Sequence, residues 1–195
     1  MRLHGEKMLS EEIAQILLSE IRQQNKSTLL LAIDGRCAAG KTTLAAHLAG
    51  LCDCNVIHMD HFFLRPKQRT TERLQQAGGN VDYERFLKEV LIPLHEGKTF
   101  SYRPFNCHKQ EMEEAVWVSP KPLTIVEGSY SCHPALKDYY DLSVFLDVDA
   151  AEQIRRIRQR NGEDGARMFQ ERWIPLEERY FHSFHIQEKC DCYFG

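Results

Sequence analysis

Thr28-Leu29-Leu30-Leu31-Ala32-Ile33-Asp34 followed at once by Gly35-Arg36-Cys37-Ala38-Ala39-Gly40-Lys41-Thr42-Thr43 is the stretch from which the fold can be read. Its first half is a short continuous apolar run. Such a run, closed by glycine, has the pattern of a strand buried on both faces of a parallel sheet. Residues 35–42 match G-x-x-x-x-G-K-[ST], and Lys41 through Leu51 then has the composition of a helix. Strand, glycine loop and helix in that order form the setting in which this pattern cradles phosphate. The glycines let the backbone curl, so that successive N–H groups and the helix N-terminus face an anion. Lys41 neutralises phosphate oxygens, and the Thr42 hydroxyl is a ligand for Mg²⁺. Gly35, Arg36, Cys37, Ala38, Ala39, Gly40, Lys41, Thr42 and Thr43 are therefore expected to line a nucleotide phosphate site. The alternative is a glycine turn with an exposed lysine, which the flanking strand and helix disfavour.

Upstream, Ser10 reads as the N-cap of an amphipathic helix, with Glu11 and Glu12 in its first turn and Ile13, Ile16, Leu17 and Ile21 on one face to about Gln24. Downstream, residues 55–60 read as a second strand ending in Asp60. Residues 62–80 turn polar and basic (Arg65, Lys67, Arg69, Arg73) and read as a surface excursion able to lie over a site. A helix is expected from Val81 to about His95, and a hairpin from 100–102 paired with 116–118. Two more apolar strands, 123–127 and 142–147, are followed by helices over 150–161 and 166–186 and a last strand at 192–194. This alternation implies an α/β fold with a parallel sheet flanked by helices, and ligands at the carboxyl ends of the strands. Asp34, Asp60, Glu127 and Asp147 fall at such ends. No repeat or linker marks a second domain, so one domain over 1–195 is expected.

Composition narrows the classes further. With 43% hydrophobic and 27% charged residues, the 195-residue chain can bury a core, which excludes disordered, collagenous and disulfide-scaffold proteins. A net charge of −3 gives no overall attraction to nucleic acid or to an anionic membrane. No apolar run is long enough to span a bilayer, and MRLHGEKMLSEE at residues 1–12 lacks the apolar centre of a signal peptide, so a cytoplasmic protein is expected. Seven cysteines, an odd number, are expected to be thiols in a reducing compartment. The Cys52/Cys54 and Cys190/Cys192 pairs leave a metal site open, although short strands also space residues in this way. Cys37, among the amides at a helix N-terminus, could carry a lowered thiol pKa.

Beyond the loop, Asp60 precedes His61, Phe62 and Phe63, so a carboxylate would stand near a terminal phosphate in a partly apolar pocket. There it could accept a hydroxyl proton or hold Mg²⁺ through water, or it could only cap the following turn. Glu127 closes an apolar strand before Gly128; a buried carboxylate calls for a cation, and Mg²⁺ with its waters suits it. Arg155, Arg156, Arg158 and Arg160 crowd one helix, with Arg156 and Arg160 on one face. They read either as a lid that clamps a transferring phosphoryl group or as a solvated face paired with Glu152 and Glu163.

Taken in order, Gly35 to Thr42, Ile57-His58-Met59-Asp60-His61-Phe62-Phe63, Ile125-Val126-Glu127-Gly128, and Phe145-Leu146-Asp147-Val148-Asp149 with Arg156 and Arg160 resemble the uridine kinase family. That family includes nicotinamide riboside kinases and, more distantly, pantothenate kinases and phosphoribulokinases. The resemblance covers nearly the whole chain. It implies a P-loop kinase fold with a substrate-side segment at about 62–118 and a small arginine lid at about 154–170. It also implies ATP and Mg²⁺, and transfer to a hydroxyl of a nucleoside-like small molecule, with uridine and cytidine the first choices. On matching positions Asp60 is similar to the family's catalytic base, Glu127 to its magnesium-organising acid, and Arg156 and Arg160 to its lid arginines, with Lys41 acting beside them. Asp82 stands where the family holds ribose. This chain has Gly79-Asn80-Val81-Asp82-Tyr83 in place of a His-Pro-Asp type segment, and Pro104-Phe105-Asn106-Cys107-His108 where pyrimidine contacts are made. Phe62, Arg103, Phe105 and His108, with Tyr102, are the candidates for an acceptor wall. Trp173-Ile174-Pro175-Leu176 resembles the nicotinamide riboside kinase branch. A kinase of nicotinamide riboside or a pantothenate-like acceptor, and a nucleotide-hydrolysing switch, are the alternatives; the switch lacks an Asn-Lys-x-Asp segment after the loop. A homo-oligomer is compatible with all of them.

Overall fold

The computed structural model describes residues 1–3 and 8–195, with the side chains of Arg2 and Leu3 left aside. Residues 4–7 of the stretch read as lacking a signal peptide lie outside the described residues. In chain order the elements are β1 (Arg2–Leu3), α1 (Ser10–Gln23), β2 (Leu29–Gly35), α2 (Lys41–Leu51), β3 (Cys54–His58), α3 (Thr71–Gln75), α4 (Tyr83–Phe86), α5 (Ile92–His95), β4 (Phe100–Tyr102), β5 (Phe105–Asn106), β6 (Glu111–Met112), β7 (Val116–Val118), β8 (Leu123–Glu127), β9 (Leu142–Leu146), α6 (Ala150–Met168), α7 (Ile174–Phe184), α8 (Ile186–Lys189) and β10 (Cys192–Phe194).

Six strands form one all-parallel sheet in the order β1-β10-β9-β2-β8-β3. The central strand β2 is buried along nearly its whole length, as its unbroken apolar run requires. On one face Leu17, Leu44 and Leu48 of α1 and α2 pack on Leu31, Ile33, Ile125 and Val144. On the other, Phe62, Phe86, Val90, Tyr130, Tyr180 and Phe181 cover Ala32, Ile57, Val126 and Phe145. The α/β architecture expected from the sequence, a parallel sheet flanked by helices, is the one found. The hairpin is present too, with Phe100 opposite Val118 and Tyr102 opposite Val116.

Several expectations need correction. Ser10 is the first residue of α1 and not its cap; the Leu9 N–H donates to Glu12 Oε2 at 2.8 Å and closes the first turn from the other side. Strand β3 stops at His58, and Asp60 lies beyond it in a tight 3₁₀ turn, Met59–Phe62. The polar excursion is pinned to the core, with Phe62 and Leu64 buried and Phe63 bridged to Val81. Arg73 holds its far end by donating to the Gly79 and Val81 carbonyls at 3.0 and 2.9 Å. The helix expected over 150–161 does break where expected: Gly162 (φ 72°, ψ −179°) is non-helical and kinks α6 into two helical segments. Among the described residues, no helix is long and apolar enough to cross a membrane.

Candidate active site

The loop between β2 and α2 is shaped by contacts that only small residues allow. Gly35 has φ +137°, and a Cβ there would stand 2.0 Å from the Leu146 carbonyl oxygen, so β9 passes against bare backbone. Gly40, at φ +101°, turns the chain into α2. Ala38 also takes a positive φ, 61°, a local strain that the surrounding bonds must hold. Those bonds come from α6: Arg156 Nη1 donates to the Ala38 carbonyl at 2.9 Å, and Gln153 Nε2 to the Cys37 carbonyl at 3.1 Å. Lys41 is buried at the start of α2. Its Nζ donates to the Gly35 and Arg36 carbonyls, both at 2.8 Å, and lies 3.3 Å from Ser129 Oγ.

Glu127 ends β8 beside this loop and is buried. Thr42 Oγ1 donates to it, 3.1 and 3.2 Å from its two oxygens, and His58 Nδ1 lies 2.5 Å from Oε1. The hydrogen bond to Glu127 raises the His58 pKa, against the opposing effect of burial. Asp60 sits across a narrow gap. A Cβ added to Gly128 (φ +138°) would lie 2.9 Å from Met59 Cβ and 3.4 Å from Asp60 Oδ1, so a glycine is needed to bring the two acidic residues together. The Asp60 pKa is raised, chiefly because protein surrounds the cleft; Lys41 opposes the shift and Glu127 adds to it. Its side chain is nevertheless open to water at the cleft mouth, so the full desolvation acts only when a ligand fills the space. A hydroxyl and a carboxylate are hard oxygen donors of the kind Mg²⁺ prefers. With few protein ligands, such an ion keeps waters and takes phosphate oxygens. Thr42 and Glu127 fit that requirement, with Asp60 facing them. Among the described residues, no group of three His, Cys, Asp or Glu side chains is placed to hold a metal by itself.

The other strand-end carboxylates are structural. Asp34 is fully buried and accepts from the N–H groups of Gly35, Tyr130 and Cys132 and from the Tyr180 hydroxyl, tying β2 to the segment after β8. Asp147 accepts from Arg36 Nη1 and from the Tyr193 hydroxyl. Cys37 is the reverse of an activated thiol: burial, with the nearby Glu177 carboxylate adding to it, pushes its pKa far up.

Of the arginines, Arg156 reaches the loop. Arg160 is exposed, with Nε on Asn161 Oδ1 at 2.8 Å and its guanidinium 5.8 Å from the centre of the Phe169 ring. Arg155 and Arg158 take the solvated role, paired with Glu152 and Glu163.

The residues expected in the acceptor wall are mostly engaged within the protein. Phe62 is fully buried, 4.9 Å edge-on from Phe86 and 5.2 Å from Tyr102 of the hairpin, and Phe105 is likewise buried, opposite Met112. Tyr102 is buried with them, its hydroxyl 3.2 Å from His61 Nδ1. Arg103 is spent on the Glu113 and Met112 carbonyls at 2.7 and 3.0 Å, and His108 is exposed on the turn after β5. Asp82 is buried and caps α4 by accepting the Arg85 N–H at 3.1 Å, while Gln68 Nε2 donates to its other oxygen at 2.6 Å.

His58, Ser129 and Glu177 went unnoticed in the sequence. His58 stood two residues before a noted aspartate, and Glu177 directly after Trp173-Ile174-Pro175-Leu176, yet nothing local assigns either to the loop. Glu177 is buried, and it accepts the Cys37 N–H at 3.0 Å and the Ser129 hydroxyl at 2.7 Å.

No family model matches the chain. It is similar to a uridine kinase from Alkaliphilus metalliredigens, 30% identical over an alignment of 150 positions that covers 70% of each chain. Among solved structures it resembles a possible uridine kinase from Bacillus stearothermophilus, with TM-score 0.73, 18% identity, and 96% and 100% of the two chains covered. A candidate fructose transport system kinase from Silicibacter sp. TM1040 superposes with TM-score 0.72 at 21% identity, covering 96% and 100%. The solved structures share the fold, and the kinship in sequence spans more than two thirds of both chains, so this chain belongs to the uridine kinase-like family of P-loop kinases.

Proposed function

We propose that the protein is an ATP- and Mg²⁺-dependent kinase that transfers the γ-phosphoryl group to a hydroxyl of a nucleoside or nucleoside-like small molecule. The observation that carries this reading is the meeting of Thr42, Glu127 and Asp60 at the mouth of the phosphate loop. A hydrolase needs only a positioned water there, whereas an open carboxylate with a raised pKa suits removal of an acceptor proton.

In this mechanism the amides of residues 35–43 and Lys41 hold the phosphates. Thr42 and Glu127 would hold Mg²⁺, which when bound would neutralise phosphate charge. Asp60 accepts the proton of the acceptor hydroxyl as the hydroxyl oxygen attacks the γ-phosphorus in line, while the bond from that phosphorus to the β–γ bridging oxygen breaks and ADP leaves. Arg156, already at the Ala38 carbonyl, swings with Arg160 over the transferring group, adding positive charge and excluding water. Asp82, whose oxygens each keep a lone pair, is the candidate for sugar hydroxyls. The 195 residues act as one domain, with the acceptor met between the 62–118 segment and the lid.

The test is ATP consumption with Mg²⁺ over a panel of uridine, cytidine, other nucleosides, nicotinamide riboside, pantothenate and simple sugars, with product mass read directly. A gain of one phosphate on one acceptor is the expected result. Hydrolysis that no acceptor accelerates would overturn the reading in favour of a nucleotide-driven switch.

A further inference from the structure

Two neighbouring carboxylates of α7 grip two neighbouring residues of the phosphate loop. Adjacent helical positions point about 100° apart, so Glu177 and Glu178 reach different parts of the loop. Glu178 takes the Arg36 guanidinium, with Oε1 2.6 Å from Nε and Oε2 3.1 Å from Nη2. Glu177 Oε2 accepts the Cys37 N–H at 3.0 Å, and its Oε1 accepts the Ser129 hydroxyl at 2.7 Å. Ser129 stands 3.3 Å from Lys41 Nζ and 3.3 Å from the Gly35 carbonyl, so the chain of contacts ends on the ammonium that would meet phosphate. Arg36 is held on its other side by Asp147.

Glu177 is a buried acid that the proposed chemistry does not use. Burial raises its pKa, and Lys41, with the bonds from Cys37 and Ser129, works against that. A buried carboxylate beside an anion-binding loop repels the ligand unless it does something in return. What its contacts provide is a held Cys37 amide, a held Ser129 hydroxyl, and through Ser129 a third contact on the Lys41 ammonium beside its bonds to the Gly35 and Arg36 carbonyls. The helix carrying Glu177 follows, through the turn at Phe169–Trp173 and the kink at Gly162, the segment whose Gln153 and Arg156 donate to the Cys37 and Ala38 carbonyls of the same loop.

The geometry points to Glu177 as a positioning residue for nucleotide binding: it holds the phosphate loop and Lys41 in the receptive arrangement and couples them to the arginine-bearing segment. This rests on the loop being a nucleotide site, as proposed above.

Titration calorimetry with ADP and with ATP, both with Mg²⁺, on wild type, Glu177→Ala, Glu177→Gln and Ser129→Ala tests it, with thermal unfolding of each protein alongside. The expected result is an ADP Kd raised about tenfold or more in Glu177→Ala, a smaller rise in Ser129→Ala, and recovery of most of the affinity in Glu177→Gln, which keeps an acceptor for the Cys37 N–H. In turnover, KM for ATP should rise more than kcat falls. An unchanged Kd with only a lowered Tm in Glu177→Ala would overturn the proposal, making Glu177 a structural prop. Tighter ADP binding in Glu177→Gln would also overturn it, making the carboxylate a repulsive gate. Should Glu177→Ala not fold, Ser129→Ala and Glu177→Gln decide by the same readings. A wild type that binds ADP but phosphorylates no acceptor ends the kinase reading and leaves this comparison standing; one that binds neither nucleotide ends both.

Discussion

His58 and Glu127 stand directly opposite each other on the neighbouring parallel strands β3 and β8, and His58 Nδ1 lies 2.5 Å from Glu127 Oε1. The imidazole thus orients the carboxylate whose face receives the Thr42 hydroxyl. Partners behind a metal-binding carboxylate commonly change metal affinity by about 10- to 100-fold when removed. His58→Phe is expected to raise the Mg²⁺ concentration for half-maximal activity by about tenfold, with a smaller effect on maximal rate. A Mg²⁺ titration of turnover at fixed ATP checks this, and an unchanged midpoint would remove His58 from the site.

On the proposed mechanism, Asp60→Asn removes the proton acceptor and leaves the phosphate cradle in place. The expected loss in kcat is about 10²- to 10⁴-fold, the usual contribution of general base catalysis, with ATP affinity nearly unchanged. Steady-state rates and nucleotide titration on one preparation measure both quantities. Wild-type turnover in the variant would rule Asp60 out as the base.

Gly128→Ala should damage activity through position and not through charge. The new methyl would meet Met59 Cβ at 2.9 Å and Asp60 Oδ1 at 3.4 Å, in a backbone conformation of φ +138° that alanine rarely adopts. A strain of about 1–3 kcal/mol is expected, read as a fall in unfolding free energy. Because the methyl presses on the turn holding Asp60, kcat should fall in the folded variant as well.

His133 supplies a pH dependence of stability. It is buried and stacked 4.0 Å from Tyr83, and its Nδ1 accepts the Ala135 N–H at 3.2 Å, which requires the neutral ring. Burial, helped by the charge of Arg73, pushes its pKa down from 6.5 to about 4. The unfolded chain therefore takes up the proton first. The neutral ring's stabilisation is fully present above about pH 6.5 and is lost as pH falls toward about 4, by about 3 kcal/mol in all. Urea unfolding between pH 7 and 4 should show a shallower acid loss in His133→Phe than in wild type; parallel curves would contradict it.

The parts of this site legible in the sequence are those made by contiguous residues. Gly35 to Thr42 could be read because a phosphate cradle is built from successive backbone amides, and Glu127 because an acid ending an apolar strand is costly without a partner. The surroundings of the acceptor-wall residues were not legible, for the opposite reason. Phe62 follows Asp60 and His61, and Phe105 lies between Pro104 and Asn106, yet both are buried, Phe62 within the turn at Met59–Phe62 and against Tyr102 of the hairpin.

By itself, then, the sequence determined the strand–loop–helix unit, the parallel α/β class and the presence of several acids at or near strand ends, since periodicity and local backbone chemistry are written in neighbouring positions. The tertiary structure decided which of those acids face the loop. Parallel strands are joined by long crossovers, so β3, β8, β2 and β9 lie side by side while their residues are far apart in sequence. Thr42 meets Glu127 across 85 positions, and Cys37 meets Glu177 across 140. Asp34 and Asp147, which read the same as Glu127 along the chain, are instead consumed by backbone amides, hydroxyls and Arg36, because strand order and packing bring those donors to them first.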